Sequence, residues 1–204
     1  MSAGSEHTAA IKSDGTLWSW GSNGSGRLGN NIAINSRVPV QEYGRSTWVS
    51  VSAGSEHTAA IKSDGTLWSW GNNRYGQLGN NTTDGYSLVP VQEGSKSTWV
   101  SVSAGGHHTA AIKSDGLLWA WGHNYYGKLG VNSTSNRSVP VLVSGGGIWV
   151  SVSAGADHTA AIKSDGLLWA WGSNGSWQLG NNFTINSPLP IHVSGGGIWR
   201  IYPR

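Results

Sequence analysis

Four histidines, His7, His57, His108 and His158, recur about every 50 residues, each followed by threonine. Imidazole is a common ligand of zinc and copper, so the repetition raises the question of a metal site. Such a site needs the rings to converge on one ion at about 2 Å, which repetition by itself does not supply. His107, His123 and His192 stand outside the repeat and fall neither at helical i, i+4 spacing nor in a compact ligand motif. Asp14, Asp64, Asp115 and Asp165 could offer acid–base chemistry, but a catalytic pair needs two carboxyls in unlike environments. Each of these four precedes a glycine, and turn chemistry accounts for them. The glycines of Gly71-x-Asn73-x-x-Gly76 hint at a phosphate cradle, yet no helix pattern follows, so the dinucleotide and P-loop readings fail on context. No Gly-x-Ser-x-Gly elbow occurs. Cysteine is absent, which excludes disulfides, thiolate zinc sites and a thiol nucleophile. No catalytic residue, metal ligand or cofactor is therefore assigned, and the expectation is a non-enzymatic protein.

Composition narrows the partners. The chain has 204 residues, with 13 Lys plus Arg against 10 Asp plus Glu, a net charge of +3. Lys12, Lys62, Lys113 and Lys163 are one repeated position, and no Lys/Arg run marks a phosphate-tracking surface, so nucleic acid is disfavoured as a partner. Charged residues make up only 11%, against about a quarter in typical domains, so solubility must come from Gly, Ser, Asn and Thr. No apolar stretch reaches the roughly 18 residues of a membrane span. The start, MSAGSEHTAA, lacks a basic region and apolar run, so it does not read as a signal peptide. It opens inside a repeat, which leaves room for a longer parent chain, and nothing assigns a compartment. Asn-x-Ser/Thr triplets at Asn81, Asn132 and Asn182 arise readily in Asn-rich loops.

The elements that position these residues are strands. The stretch SAGSEHTAAIKSDGTLWSWG, beginning at Ser52, has counterparts beginning at Ser2, Ser103 and Ser153. A period near 50 residues across a whole chain is a repeat-architecture signature. In the second unit WVSVSA, from Trp48, alternates apolar and small polar residues, the period-2 signal of a strand. His57 to Ser63 reads as a second strand. Asp64-Gly65 predicts a two-residue type I′ hairpin, and TLWSW, from Thr66, gives the third strand. A loop of about 17 residues precedes a short fourth strand, LVPVQ, where Pro90 argues for a sheet edge. The expected fold is all-β: a β-propeller of four four-stranded blades. The unit bounds are approximately 1–47, 48–98, 99–148 and 149–198 of a single domain, 1–204. Strand 198–202, with Trp199 aligned to Trp48, is expected to pair with the N-terminal strand and close the ring, although WRIY departs from WVSV. A four-bladed monomer, an eight-bladed homodimer and part of a larger propeller are the competing closures.

The pattern S-A-G-x-x-H-T-A-A-I-x-x-D-G-x-L-W-x-W-G-x-N-x-x-G-x-L-G, followed by V-P-V and a Trp-Val strand, resembles the regulator-of-chromosome-condensation repeat family over essentially the whole chain. The resemblance implies a β-propeller, most often of seven blades. It also implies that each His-Thr pair hydrogen-bonds backbone at a blade turn. The lysines two residues before each Asp-Gly are expected on a solvated face. Family roles in guanine-nucleotide exchange and chromatin association are an alternative function, although no basic tail is present. Some members sense ultraviolet light through a Gly-Trp-Arg-His-Thr motif. Here the residues before His-Thr are Ser-Glu, Ser-Glu, Gly-His and Ala-Asp, so the motif is absent despite 13 tryptophans.

The strands are nearly copied between units, whereas the long loops differ. Within or beside the loops lie Arg27, Arg74, Tyr75, Tyr86, Tyr125, Tyr126, Arg137, Trp177 and Phe183. A rigid scaffold carrying unlike loops is a common recognition layout, and Tyr, Trp and Arg are enriched at interface hot spots. These nine residues are the binding candidates, for an unknown protein or a surface glycan. A structural part of an extracellular or virion-surface array is a third reading. Trp177 replaces the glycine at Gly26, Gly76 and Gly127. A positive φ there would strain the tryptophan and require its loop to be rebuilt.

Overall fold

The computed structural model describes residues 1–94 and 98–199. Its strands form four antiparallel four-stranded sheets. The first holds β1 (Ser2–Ala3), β2 (His7–Ile11), β3 (Leu17–Gly21) and β4 (Ser36–Gln41). The second holds β5 (Trp48–Ala53), β6 (His57–Lys62), β7 (Leu67–Asn72) and β8 (Tyr86–Gln92). The third holds β9 (Trp99–Ala104), β10 (His108–Lys113), β11 (Leu118–Gly122) and β12 (Arg137–Leu142). The fourth holds β13 (Trp149–Ala154), β14 (His158–Lys163), β15 (Leu168–Gly172) and β16 (Ser187–His192). Strand order within each sheet follows the sequence, the meander of a propeller blade. Pro39, Pro90, Pro140 and Pro190 all fall on the outermost strand, where a missing N–H leaves no ladder bond unmade. Among the described residues no helix is long and apolar enough to cross a membrane.

The hairpin after β2 departs from the type I′ expectation. Gly15 N–H donates to Lys12 O at 2.9 Å, Lys12 N–H donates to Thr16 O at 2.9 Å, and only Gly15 has positive φ (82°). That is a three-residue loop with a turn followed by a left-handed glycine. Asp14 stays at negative φ, and its carboxylate accepts both the Thr16 amide (2.9 Å) and the Thr16 hydroxyl (2.7 Å). The Thr16 hydroxyl in turn accepts the Trp18 indole N–H at 2.9 Å. In the third and fourth blades leucine stands in place of this threonine, and the Trp119 and Trp169 indole N–H groups have no hydrogen-bond partner among the described residues. The repeated lysines do more than face solvent. The ammonium groups of Lys12, Lys62, Lys113 and Lys163 lie 3.8, 3.7, 4.1 and 4.4 Å from the ring centroids of Trp18, Trp68, Trp119 and Trp169. Each is a cation–π cap on the outer rim of the blade's third strand.

The core lies between blades. One cluster gathers Leu17 of the first blade with Trp48, Ala60 and Trp70 of the second. Its successors join Ile61 and Leu67 to Trp99, Ala111 and Trp121, then Ile112 and Leu118 to Trp149, Ala161 and Trp171. The tryptophan opening each new blade meets the buried tryptophan of its own third strand edge-on, at 5.7 Å for Trp48–Trp70 and for Trp99–Trp121 and 5.9 Å for Trp149–Trp171. Small Ala and Ser side chains on the second and third strands leave room for these large rings.

The first and fourth sheets do not pack together as neighbouring blades do. The four blades form an arc with two open faces among the described residues. Closure through paired termini is not shown. β1 has two residues where β5, β9 and β13 have six. Trp199 N–H donates to Gly166 O at 2.9 Å, as Trp48, Trp99 and Trp149 donate to Gly15, Gly65 and Gly116. The rest of the expected closing strand, Arg200 to Tyr202, lies outside the described residues.

Candidate functional site

Three of the four repeated histidines, His7, His57 and His108, fall in separate seams. His7 Nε2 lies 2.8 Å from Thr58 Oγ1, and Thr58 donates its hydroxyl to Arg27 O at 2.7 Å. With its proton spent on the carbonyl, Thr58 must accept, so His7 carries hydrogen on Nε2. The same relay links His57 to Thr109 and Gln77 O, and His108 to Thr159 and Lys128 O. The His-Thr pair thus bonds across blades, to the threonine of the next unit. Each of those three carbonyls also accepts a buried indole, from Trp70, Trp121 and Trp171, at 2.8–3.0 Å. Burial, then Arg27, pushes the His7 pKa down to about 4. Burial above all pushes that of His57 to about 3 and holds His108 well below the ordinary value. Among the described residues no group of three or more His, Cys, Asp or Glu is placed to hold a metal ion.

The loops after the third strands share one fold. Asn23 Oδ1 accepts the Leu28 amide at 2.9 Å while its Nδ2 reaches Ile32 O at 2.6 Å. Asn73, Asn124 and Asn174 tie their loops in the same way. The Gly-x-Asn-x-x-Gly pattern is therefore a loop clamp, and it leaves the residues at the loop tip free to differ.

The structure brings three of the nine binding candidates together. Tyr75, from the second blade's loop, packs 4.4 Å from His123 and 5.4 Å from His107 (ring centroids). His123 stacks on Tyr125 at 6.3 Å with the rings 10° apart, and Tyr125 meets Tyr126 edge-on at 4.6 Å. The result is an aromatic and imidazole surface across the seam of the second and third blades, with Tyr125 65% exposed at its outer end. Beneath it Lys128 is buried. Its ammonium contacts the Asp157 carboxylate of the fourth blade and donates to His123 Nδ1 at 3.1 Å. Burial first, and Lys128 in addition, lower the pKa of both His123 and His107, while Glu56 opposes the shift at His107. At neutral pH the two imidazoles are uncharged, set among the tyrosine rings and flanked by paired charges.

The remaining candidates are dispersed. Arg27 is 5% exposed, and its guanidinium bonds Ser55 O at 2.9 Å and Glu6 at 3.3 Å, with Glu56 at 4.0 Å. It stands in the first seam, bracing two blades. Arg74 is exposed at the tip beside Tyr75, and Tyr86 and Arg137 open β8 and β12. Trp177 (68% exposed) and Phe183 (63%) lie on the fourth blade's loop, a different loop from those that carry the three tyrosines. Trp177 has φ of 59°, beside 76°, 80° and 76° at Gly26, Gly76 and Gly127. Its loop is not rebuilt: Trp177 N–H still donates to Asn174 O, and Trp177 O still accepts from Gly180, as in the glycine loops. His107 and His123 were not among the candidates. Their signal was departure from the repeat, since they replace Glu6, Glu56 and Asp157, or Ser22, Asn72 and Ser173, respectively.

Comparison with known proteins fits this architecture. The chain is 33% identical over 136 residues to the ultraviolet-B receptor UVR8 of Arabidopsis thaliana, covering 65% of this chain and 31% of that protein. It is 33% identical over 147 residues to the mitochondrial RCC1 domain-containing protein RUG3 of the same plant, covering 65% and 32%. Among solved structures it superposes on human WBSCR16 with a TM-score of 0.88 at 23% identity, covering 96% of this chain and 52% of that one. For yeast RCC1 (Prp20), solved with Kap60, the TM-score is 0.83 at 22% identity, covering 94% and 47%. The chain thus spans about a third of these curated relatives and about half of these solved chains. A family model described as the RCC1-like domain matches residues 1–201. With its blades, seams and relatives in agreement, the chain belongs to the RCC1-like domain family.

Proposed function

We propose that the chain is a non-enzymatic propeller scaffold that binds a protein partner through the loop surface built from Tyr75, His107, His123, Tyr125 and Tyr126. The observation that carries this reading is the convergence of five rings from two blades onto one surface. Rigid aromatics on a fixed scaffold give large contact area at small entropy cost, the composition found at binding hot spots. Arg74, exposed beside Tyr75, adds a cation at the rim. Protein binding also appears among structural neighbours: the yeast RCC1 structures are described with Kap60, and with binding to Gsp1p and histones.

The test is a loop graft. His123→Ser, Tyr125→Gly and Tyr126→Ser give the third loop the residues of the first, Ser22, Gly24 and Ser25, and leave the Asn124 clamp intact. Affinity chromatography on extract, compared with the unaltered chain, should lose its specific protein while the melting temperature holds. Equal retention by both proteins, or retention of a glycan in place of a protein, refutes the reading.

A further inference from the structure

The arc's two open faces are halves of a seam that occurs three times inside the molecule. On the fourth blade's outward face, His158 has no threonine acceptor among the described residues, where His7, His57 and His108 each have one. Ser2, Ser52 and Ser103 accept the amides of Ala53, Ala104 and Ala154; among the described residues Ser153 receives no such amide. Asn31, Asn81 and Asn132 donate their amides to the fourth strand of the next blade, at Leu88 O, Ser138 O and Pro188 O, and among the described residues the equivalent Asn182 has no such acceptor. The first blade's outward face holds the missing counterparts. Thr8 aligns with Thr58, Trp20 with Trp70, the Ala3 amide with that of Ala53, and Arg37 O with Leu88 O. A second copy of this chain would therefore offer the fourth blade these same hydrogen-bonding groups, from a first blade whose β1 has two residues in place of six.

Beyond the shorter strand, one residue breaks the match. A Cβ placed on Gly26 would lie 2.7 Å from Ser87 O, on Gly76 2.5 Å from Ser138 Cα, and on Gly127 2.4 Å from Pro188 Cα. These are backbone atoms of the next blade's fourth strand, so the neighbour cannot yield by turning a side chain. The seam requires glycine at this position. The fourth blade carries Trp177 there, with the same turn, a φ of 59°, and its side chain 68% exposed. We propose that Trp177 is a stop residue: its Cβ and indole deny the fourth blade's outward face to the first blade of a second copy, and hold the chain as a single arc. The interface it blocks is head-to-tail, the kind that builds rings or open filaments when nothing prevents it.

Light scattering on size-fractionated protein, over a concentration series, reads the effect directly. The unaltered chain is expected at its monomer mass of 21.5 kDa. Trp177→Gly should self-associate, at twice that mass or more. Trp177→Ala keeps the offending Cβ and should associate at least about tenfold more weakly than Trp177→Gly. Adding Thr8→Val to Trp177→Gly removes the acceptor for His158 and should restore the monomer, while Thr8, unlike its counterpart Thr58, makes no seam hydrogen bond among the described residues of the single arc. Circular dichroism confirms that each variant keeps its strands. The proposal is overturned if the unaltered chain associates as strongly as Trp177→Gly, if folded Trp177→Gly stays monomeric, or if Thr8→Val leaves the association intact.

Discussion

The seam between the second and third blades and the outward face of the fourth blade have nearly the same sequence and different physics. His57 and His158 both lie in His-Thr-Ala-Ala-Ile-Lys, yet His57 is fully buried and His158 is half-exposed. Burial pushes the His57 pKa to about 3, whereas His158 is lowered less, with Asp157 opposing. Trp70 is wholly buried and Trp20, its counterpart facing outward from the first blade, is half-exposed. Local sequence sets the strand; the adjoining blade sets the environment. A repeat protein of this kind holds its stability in interfaces, so the same substitution should have unequal cost at different copies.

Acid should show the largest effect. His7 and His57 have folded pKa values of about 4 and about 3, below the ordinary 6.5. The unfolded chain takes up protons more readily, so the stability these groups contribute is present above pH 6.5 and is lost as pH falls toward those values. By pH 4 the loss is about 3 kcal/mol for each, and chemical denaturation at a series of pH values should show it. His158 should contribute less, and a stability profile unchanged between pH 7 and 4 would remove the distinction between buried and open copies.

Next in size is the glycine that faces the following blade. Gly127→Ala should cost about 3 kcal/mol, combining a left-handed alanine with a clash against Pro188. At the open copy the sign reverses: Trp177→Gly should stabilise the single arc by about 1 kcal/mol through relief of its positive φ, when measured at concentrations too low for association. Thr109→Val leaves the buried His57 Nε2–H without its acceptor and should cost about 2 kcal/mol, whereas Thr8→Val should cost little, since no seam covers Thr8. The smallest change is a gain. Leu117→Thr supplies the hydroxyl that Trp68 has and Trp119 lacks, and should stabilise the third blade by about 1 kcal/mol. Urea melts of each matched pair rank these effects.

Much of the fold was legible because the strands are short, alternating and bounded by glycine. Trp48–Ala53 and the edge position of Pro90 follow from pattern alone. The Asp-Gly subtype did not, because the same dipeptide serves a two-residue or a three-residue loop, and all four copies take the longer one with the aspartate accepting the amide two residues on, whether threonine or leucine stands there. The His–Thr relay was hidden for another reason: the partner of His57 is Thr109, and four copies of one dipeptide conceal which histidine meets which threonine. Arg27 reads in sequence as a loop cation, but its role depends on Glu6 and Glu56 from two blades. Tyr75, Tyr125 and Tyr126 were visible as departures from the repeat. His107 and His123, which join them, carried the same kind of signal and were masked by the abundance of structural histidine. Trp177 was visible because it breaks a rule that three other copies keep.

Hydrogen exchange at the tryptophan indoles, followed by NMR, tests the open arc most directly. Trp70, Trp121 and Trp171 donate their indole N–H to buried carbonyls in the three seams. Trp20 occupies the same blade position with no seam over it. An open arc predicts three strongly protected indoles and rapid exchange at Trp20. Equal protection of all four would mean that the first blade's face is covered, and would contradict it.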